Sequence, residues 1–356
     1  MGQIRYLKQQ EKQNTRKMYE AIFSEDSQKF VDYYYQWKTK DNKILVMEDS
    51  VGYEVMMHLN PYKVCVNGGQ REIPYIVAVA TRPDCRRQGK MQQVMKRALQ
   101  DLWKSHCPFA FLLPADSAYY RGQGFVFAPE AAAEAEEPKK RLEVAQAAEK
   151  GGDWNDVAAD RRWSYVSLKS GEDTKMQQAA ETANAILAEQ YDMYVQRDKE
   201  YYERLIEETA AEMGEVLLIE EKDTCIGVLA YGSEEQADIK ELLLFSQYEE
   251  KRNEICDRVF GRDNWKEEEM RMMFRITDLQ ALNGMLKGEP ETLKVSVTDD
   301  LVEENNGIWQ IVWNPDGGRV SRMADTSEAE NIKHMDIAEV TEKIVGKMAI
   351  FIREWV

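Results

Sequence analysis

The chain has 356 residues, more than one typical domain holds, so its length predicts two or three domains. Apolar residues make up 43% of it, enough to fill several cores, and 47 Lys and Arg against 64 Asp and Glu give a net charge of −17. A surface this acidic repels phosphates, which argues against a nucleic-acid partner and suits a cationic one, although solubility alone would also explain the charge.

The cysteines are odd in number and show no CxxC spacing. There are five of them, at Cys65, Cys85, Cys107, Cys225 and Cys256. This pattern favours reduced thiols, and we expect a cytoplasmic protein without a metal, because the three histidines form no ligand-like cluster with the cysteines. No apolar run reaches the roughly 18 residues of a membrane span, so we expect no membrane partner.

The N-terminal part of the chain predicts an α/β unit. Residues 9–22 read as helical, and residues 44–47 and 53–59 read as two strands around a turn. Residues 75–80 and 109–113 are continuous apolar runs, which are typical of strands buried on both faces. Between them, apolar residues recur at helical spacing from Lys90 to Leu102.

The remaining chain predicts two further units. Residues 128–153 are rich in Ala and Glu and read as an exposed connection. A strand, a helix and three more strands follow, and this order loosely repeats the first unit, which suggests a duplication. The last unit begins near Met270 and reads as α+β. Its predicted elements are strands at 292–298 and 308–313 and a helical stripe at 337–348.

The most informative stretch is a buried strand that runs into a basic loop and then a helix, residues 77–91. Backbone N–H groups at a helix start lack partners, and the helix dipole favours negative charge there. Gly89 would let the chain approach a pyrophosphate closely, and Arg86, Arg87 and Lys90 add positive charge. These features favour a cofactor that carries a diphosphate.

Other phosphate-binding motifs do not fit this loop. A Walker A loop would need Gly at Asp84 and Ser or Thr at Met91, and a dinucleotide fingerprint would need three glycines where only Gly89 is present. On local physics alone, an ordinary basic strand-to-helix turn explains the pattern equally well.

Residues 86–91, Arg-Arg-Gln-Gly-Lys-Met, resemble the acetyl-CoA pyrophosphate loop of the GNAT superfamily, Arg/Gln-x-x-Gly-x-Gly/Ala. Met91 departs from the final Gly/Ala, a departure familiar in the enhanced-intracellular-survival-like (Eis-like) acetyltransferases. Residues 111–114 followed by Tyr120-x-x-x-Gly124-Phe125 also look like that branch's strand and its Tyr-x-x-x-Gly-Phe/Tyr motif.

The resemblance implies an architecture for the whole chain, in which α/β and α+β domains follow one another. We expect a catalytic GNAT domain at 1–127, the exposed connection at 128–153, a second, degenerate GNAT-like domain at 154–268 and a sterol-carrier-protein-like domain at 269–356. The second domain shows no Arg-x-x-Gly loop and is expected to bind no cofactor. Relatives of this architecture form hexamers, so the resemblance implies a homo-oligomer, and we expect one of six chains. For the last domain we expect a structural role.

The resemblance also implies an activity, acetyl-CoA-dependent N-acetyl transfer by direct attack of an amine in a ternary complex. The residues expected to bind acetyl-CoA are Val79, Ala80 and Thr81 along the pantetheine arm, Arg87, Gln88, Gly89, Lys90, Met91 and Gln92 around the diphosphate, and Ala115 and Asp116 beyond the next strand. Tyr120 is expected to protonate the departing thiolate, as its hydroxyl, with an ordinary pKa of about 10, is able to. The terminal carboxylate of Val356 is the expected base, and the apolar tail before it would be tied down.

The sequence leaves open which molecule accepts the acetyl group and whether the protein is an enzyme at all. Residues 24–26 and 30–37 combine acids and aromatic rings, which suits a cationic amine. Packing of the same aromatic helix face on the sheet, with solvated acids, explains them as well. The competing class is a non-catalytic CoA-binding or scaffold protein that kept the fold.

Overall fold

The computed structural model describes residues 2–128, 162–233, 236–324 and 332–355. These residues form three sheets, of nine, five and four strands. The connection predicted at 128–153 lies outside the described residues except for Ala128, and Val356 lies outside them too.

The N-terminal unit contains the predicted strands and helices together with others that the sequence pattern did not predict. They are β1 (Gln3–Tyr6), α1 (Arg16–Ile22), α2 (Gln28–Trp37), β2 (Lys43–Glu48), β3 (Tyr53–Val66), β4 (Gly69–Thr81), α3 (Lys90–Lys104), β5 (Phe109–Leu112), α4 (Ala118–Arg121) and β6 (Val126–Phe127). Strand β1 was not predicted, and the first half of the helix predicted at 9–22 is a 3-10 helix. Helix α3 buries Val94, Met95, Ala98 and Leu99 against the sheet, as its periodicity predicts.

The second unit repeats the strand order of the first. Its elements are β7 (Trp163–Leu168), α5 (Asp173–Gln190), β8 (Met193–Val195), α6 (Lys199–Ala211), β9 (Glu215–Glu221), β10 (Thr224–Gly232), β11 (Ala237–Leu244), α7 (Arg252–Phe260) and β12 (Trp265–Lys266). The sheet order β7-β9-β10-β11-β12 matches β1-β2-β3-β4-β5, and in both units the last two strands are parallel with a helix between them. This correspondence supports the predicted duplication.

The C-terminal unit is a four-stranded sheet with one helix against it. Its elements are β13 (Met273–Ile276), β14 (Glu291–Thr298), β15 (Gly307–Trp313), β16 (Arg319–Arg322), β17 (Lys333–Asp336), α8 (Ile337–Val345) and β18 (Ile350–Phe351). The sheet order is β16-β15-β14-β17. Helix α8 begins at a capping box in which the side chains of Asp336 and Glu339 accept each other's backbone N–H.

Strands of the later units complete the first sheet. Strand β13 pairs with both β5 and β6, β8 pairs with the far end of β3, and β18 pairs with β8. The three units predicted from sequence therefore share a nine-stranded sheet, and both the start of the C-terminal unit and the end of the chain are anchored on the N-terminal unit.

The described parts of the chain contain neither a helix suited to a membrane nor a cluster of metal ligands. Over those residues, no helix has the length and apolar character needed to cross a membrane. Within the same residues, no three His, Cys, Asp or Glu side chains gather into a group that could hold a metal ion.

Candidate functional site

Strands β4 and β5 separate before the basic loop begins, since β4 continues to Thr81 beyond its pairing with β5. Within the described sheet, they pair only at Tyr75 and Phe111. On the other edge of β4, the register with β3 shifts, so that Ala78 and Val79 oppose the single residue Met57. Ala78 has a φ of 50°, in the left-handed region. This bulge increases the local twist. Beyond Tyr75 no pairing with β5 occurs in the described sheet, so the edge of residues 77–81 that faces β5 is open, and Val79, Ala80 and Thr81 are the residues expected to bind acetyl-CoA there.

The start of α3 provides unpaired backbone donors beside that gap. Gly89 is the N-cap, with a φ of 71° and no side-chain cap. The N–H groups of the next three residues, Lys90, Met91 and Gln92, have no acceptor within the helix, because an α-helix satisfies none of its first donors. A Cβ on Gly89 would meet nothing within 4 Å, so space is open in front of these donors. The local geometry fits an anion such as a diphosphate.

The basic side chains of the loop do not all face this space. The Lys90 ammonium pairs with the buried carboxylate of Glu54, so its charge is compensated and only its backbone N–H is free for a ligand. Arg86 donates from Nε to the carbonyl of Thr81 at 3.2 Å. Arg87 is exposed, with a φ of 59°, and has no hydrogen bond or ion pair to any described residue. Arg87 is thus a loop cation available to a phosphate, and Arg86 also has no carboxylate partner among the described residues.

The other residues expected around the cofactor lie near this loop. Gln88 donates to the carbonyl of Asp84 at 2.9 Å, and Gln92 is exposed. The Met91 sulfur lies 3.5 Å from Nε2 of Gln123, which connects α3 with the turn after α4. Asp116 follows Ala115 in the exposed segment before α4, and its Oδ1 accepts the N–H of Ala118 at 2.9 Å.

Tyr120 lies on α4, beside the gap between β4 and β5. Its side chain is buried and its ring meets Phe125 edge-on, with centroids 6.0 Å apart. Burial, and then the neighbouring Tyr119, raise the pKa of Tyr120 to about 12. Its hydroxyl has no hydrogen-bond partner among the described residues. A protonated, unshared hydroxyl is suited to donate a proton to a leaving group.

Tyr75 links Tyr120 to the end of the chain, and sequence reasoning missed it. The Tyr75 hydroxyl donates to the carbonyl of Trp355 at 3.4 Å. Burial raises the pKa of Tyr75 above its usual value, the charges of Glu354 and Glu208 raise it further, and the nearby Tyr120 also contributes. Tyr75 lies within the buried strand β4, and nothing in the sequence around it indicates this role.

The C-terminal tail is held in place by contacts with residues of the second unit. Arg353 pairs with Glu267 and donates to the carbonyl of Glu268 at 2.8 Å. Glu354 is buried 3.5 Å from Arg197, and burial is the main cause that raises its pKa to about 6. Lys240 lies 4.0 Å from the ring centroid of Trp355. The tail therefore reaches Tyr75 in a fixed position, one residue before Val356.

An acidic cleft of about 370 Å³ opens between the first two units. It is lined by four carboxylates, two lysines and small or apolar residues: Glu25, Asp26, Ser27, Phe30, Glu212, Gly232, Ser233, Gln236, Asp238, Lys240 and Lys266. Burial raises the pKa of both Asp26 and Glu212. Lys240 bonds Glu212 at 2.8 Å and Asp238 at 3.4 Å, and it also meets Trp355, so the cleft adjoins the tail.

Residues 3–128 match the family model of the acetyltransferase (GNAT) domain. The N-terminal unit is a GNAT acetyltransferase domain. The chain is therefore an enzyme of the acyltransferase class, an N-acetyltransferase, as the loop and Tyr120 predicted. A comparison with curated protein sequences finds no match.

Several solved structures share the fold over nearly the whole chain. A probable N-acyltransferase from Enterococcus faecalis has a TM-score of 0.71 at 13% identity, over 96% of this chain and 89% of that one. A GCN5-related N-acetyltransferase from Kribbella flavida has a TM-score of 0.68 at 13% identity, over 99% and 100%. Eis1 from Mycobacterium abscessus has a TM-score of 0.62 at 12% identity, over 97% and 90%. At these identities the likeness establishes the fold, an Eis-like GNAT arrangement.

Proposed function

We propose that the chain acetylates a cationic amine by direct attack on acetyl-CoA in a ternary complex. The observation that carries this proposal is the contact of the Tyr75 hydroxyl with the Trp355 carbonyl, because it joins the tail to the gap beside Tyr120. The acidic cleft adjoins the same tail through Lys240. Donor, acceptor and proton-transfer groups would therefore meet in one place.

Acetyl-CoA would supply the acetyl thioester, and the loop would hold its diphosphate. The backbone N–H groups of residues 90–92 and the guanidinium of Arg87 would bind the phosphates, with open space in front of Gly89. The free edge of β4 at Val79, Ala80 and Thr81 would pair with the amide groups of the pantetheine arm. Exposed backbone at a strand edge is suited to such pairing.

The acceptor class is proposed from the charges of the cleft. Glu25, Asp26, Glu212 and Asp238 outnumber its two lysines, and Lys240 is already shared by two of these carboxylates. A bound ammonium would be stabilised by the remaining negative charge, because a cleft lined by carboxylates concentrates a negative potential. A polyamine or an aminoglycoside has the required chemistry.

Two groups would move protons at the reacting atoms. Tyr120 would donate to the departing sulfur, and the carboxylate of Val356 would accept the proton of the ammonium before attack. An α-carboxylate has an ordinary pKa of about 3.3–3.7, so this role requires surroundings that raise the pKa toward neutrality.

The activity is tested with a panel of amines: spermidine, tobramycin and a peptide with a free N-terminus. We expect release of CoA, measured with a thiol reagent, to rise with at least one of them, and mass spectrometry of the acceptor to show one added acetyl group. No release with any amine, together with no CoA binding by calorimetry, would overturn the proposal and favour a scaffold role.

A few residues added after Val356 are expected to reduce turnover strongly while CoA binding stays unchanged. The reason is that the carboxylate would move away from Trp355, whose position is fixed by Tyr75. The same tag placed before Met1 is the control, because it adds equal length without displacing the terminal carboxylate. Full activity of the C-terminally extended chain would remove Val356 from the mechanism and direct attention to Asp26, whose pKa is raised by burial.

The roles of the second and C-terminal units are proposed as well. The second unit repeats the GNAT strand order, but a 3-10 helix, Ser246–Lys251, stands where the first unit has its glycine loop. We propose that it binds no cofactor and contributes Glu212 and Asp238 to the acceptor cleft. We propose a sterol-carrier-protein-like fold for the C-terminal unit and a hexameric assembly, both of which the family resemblance implies.

A further inference from the structure

Arg275 is a fully buried arginine that contacts both the C-terminal unit and the turn after α4. It lies on β13, and its Nε donates to the carbonyl of Gln123 at 2.7 Å. Its Nη1 donates to the carbonyl of Ile276 at 2.9 Å, and its Nη2 donates to Asp299 at 2.6 Å. Nothing in the chemistry proposed above uses this residue.

Asp299 is itself held firmly by its own unit. Its carboxylate accepts the backbone N–H groups of Leu301 and Val302, each at 3.0 Å, and the side-chain amide of Asn305 at 3.0 Å. With these donors and Arg275, the buried charge of Asp299 is well satisfied. The guanidinium is therefore fixed from the C-terminal side, and its Nε presents one donor to the N-terminal unit.

That donor reaches the turn that carries Tyr120. The carbonyl of Tyr120 accepts the N–H of Gln123 at 2.9 Å and that of Phe125 at 3.3 Å, so the turn folds back on Tyr120. Gly124, with a φ of 82°, allows this close approach, since a Cβ there would lie 2.7 Å from Cγ2 of Ile337 and 3.0 Å from Nε of Arg275. The turn thus rests directly on the guanidinium.

The helix that carries Tyr120 needs such support. Helix α4 has four residues, too few to be stable alone. The Tyr120 hydroxyl has no hydrogen-bond partner among the described side chains and backbone groups, so its position follows from the packing of its ring against Phe125 and from the backbone beneath it. The backbone beneath it is fixed through Gln123 and Arg275.

We propose that Arg275, held by Asp299, is a positioning residue for the proton donor Tyr120. The C-terminal unit would then contribute to catalysis by fixing the acid, without touching the substrates. This inference rests on the proposed role of Tyr120. A purely structural ion pair would stabilise the junction of the units equally but would show no particular coupling to Tyr120.

The test is a double-mutant cycle between Arg275→Lys and Tyr120→Phe, with the fastest amine of the panel, spermidine, tobramycin or the peptide, as acceptor. Lysine keeps a positive charge beside Asp299 but loses the Nε donor to Gln123. We expect kcat to fall about tenfold or more, because a displacement of 1 Å can cost roughly 10²-fold in rate. CoA affinity is expected to stay unchanged, and in the Tyr120→Phe background Arg275→Lys should cause no further loss.

Two companion variants keep the test decisive. Gly124→Ala keeps both side chains of the Arg275–Asp299 pair, but its new methyl group would crowd Ile337 and Arg275 and so displace the turn from the guanidinium. It should show the same loss of kcat and the same coupling, even if Arg275→Lys does not fold. Thr341→Val is the control, since it removes the hydroxyl that accepts the N–H of Ile276 on the same strand and leaves Gln123 untouched. It should lower thermal stability with little effect on kcat.

Each result has a defined meaning. Equal losses of kcat in both Tyr120 backgrounds, or no loss in folded Arg275→Lys and Gly124→Ala, would overturn the positioning role while leaving the proposed activity intact. A fully active Tyr120→Phe enzyme would instead refute the acid role itself, and the positioning role with it.

Discussion

Replacement of Tyr120 by phenylalanine is expected to lower kcat by about 10²–10⁴-fold, the usual contribution of a general acid. The substitution removes only a hydroxyl that has no hydrogen-bond partner among the described residues, so stability should change little. CoA affinity should also persist, because the expected diphosphate contacts lie at α3. Stopped-flow or steady-state rates, combined with calorimetry for CoA, measure the two effects separately.

The pH profile adds a second check on the acid. An acid with a raised pKa keeps its proton to higher pH, and burial raises the pKa of Tyr120 to about 12 from its ordinary value near 10. Activity of the parent enzyme should therefore show no alkaline loss attributable to Tyr120 up to about pH 10. An essential tyrosine with an unshifted pKa would already lose half of its protons there.

Two neighbouring tyrosines serve as controls for Tyr120. Tyr119 is 62% exposed, and Tyr119→Phe should retain full activity. Tyr75→Phe should affect the seating of the tail, because its hydroxyl contacts the Trp355 carbonyl. If Tyr120→Phe kept the full rate while Tyr75→Phe lost it by orders of magnitude, the acid role would pass to Tyr75.

Local patterns predicted the parts of the site that are contiguous in the chain. The buried run at 75–80, the loop glycine Gly89 and the amphipathic α3 follow from periodicity and backbone chemistry. The acids Glu25 and Asp26 were also proposed near the acceptor, and they line the cleft. In each case the residues that form the feature are adjacent in sequence, so a local pattern can reveal it.

The missed features depend on contacts between distant segments. Lys90 reads as a loop cation, but its partner Glu54 lies 36 residues earlier, and no local pattern shows that pair. The short strands β8 and β13 carry too few residues for a periodic signal, yet they join the first sheet. Glu212 and Asp238 belong to a different unit from the loop, so their place in the cleft required the three-dimensional fold.

Substitution of Gly89 by aspartate is expected to weaken CoA binding by about 100-fold or more. The new carboxylate would stand in the open space before the N-terminus of α3, where the diphosphate is expected. Two unit charges about 4 Å apart repel by about 1 kcal/mol in water and about 4 kcal/mol near a protein surface, so one added charge can account for such a loss.

Gly89→Asn is the matched control, because asparagine has nearly the same size and shape without the charge. Both residues tolerate a positive φ better than most, so the φ of 71° should cost the two variants similar stability. Calorimetry should therefore show a moderate loss of CoA affinity for asparagine and a further loss of about tenfold or more for aspartate. Equal affinities in two folded variants would mean that the diphosphate does not lie at α3, and the unpaired N–H groups of residues 90–92 would then need another ligand.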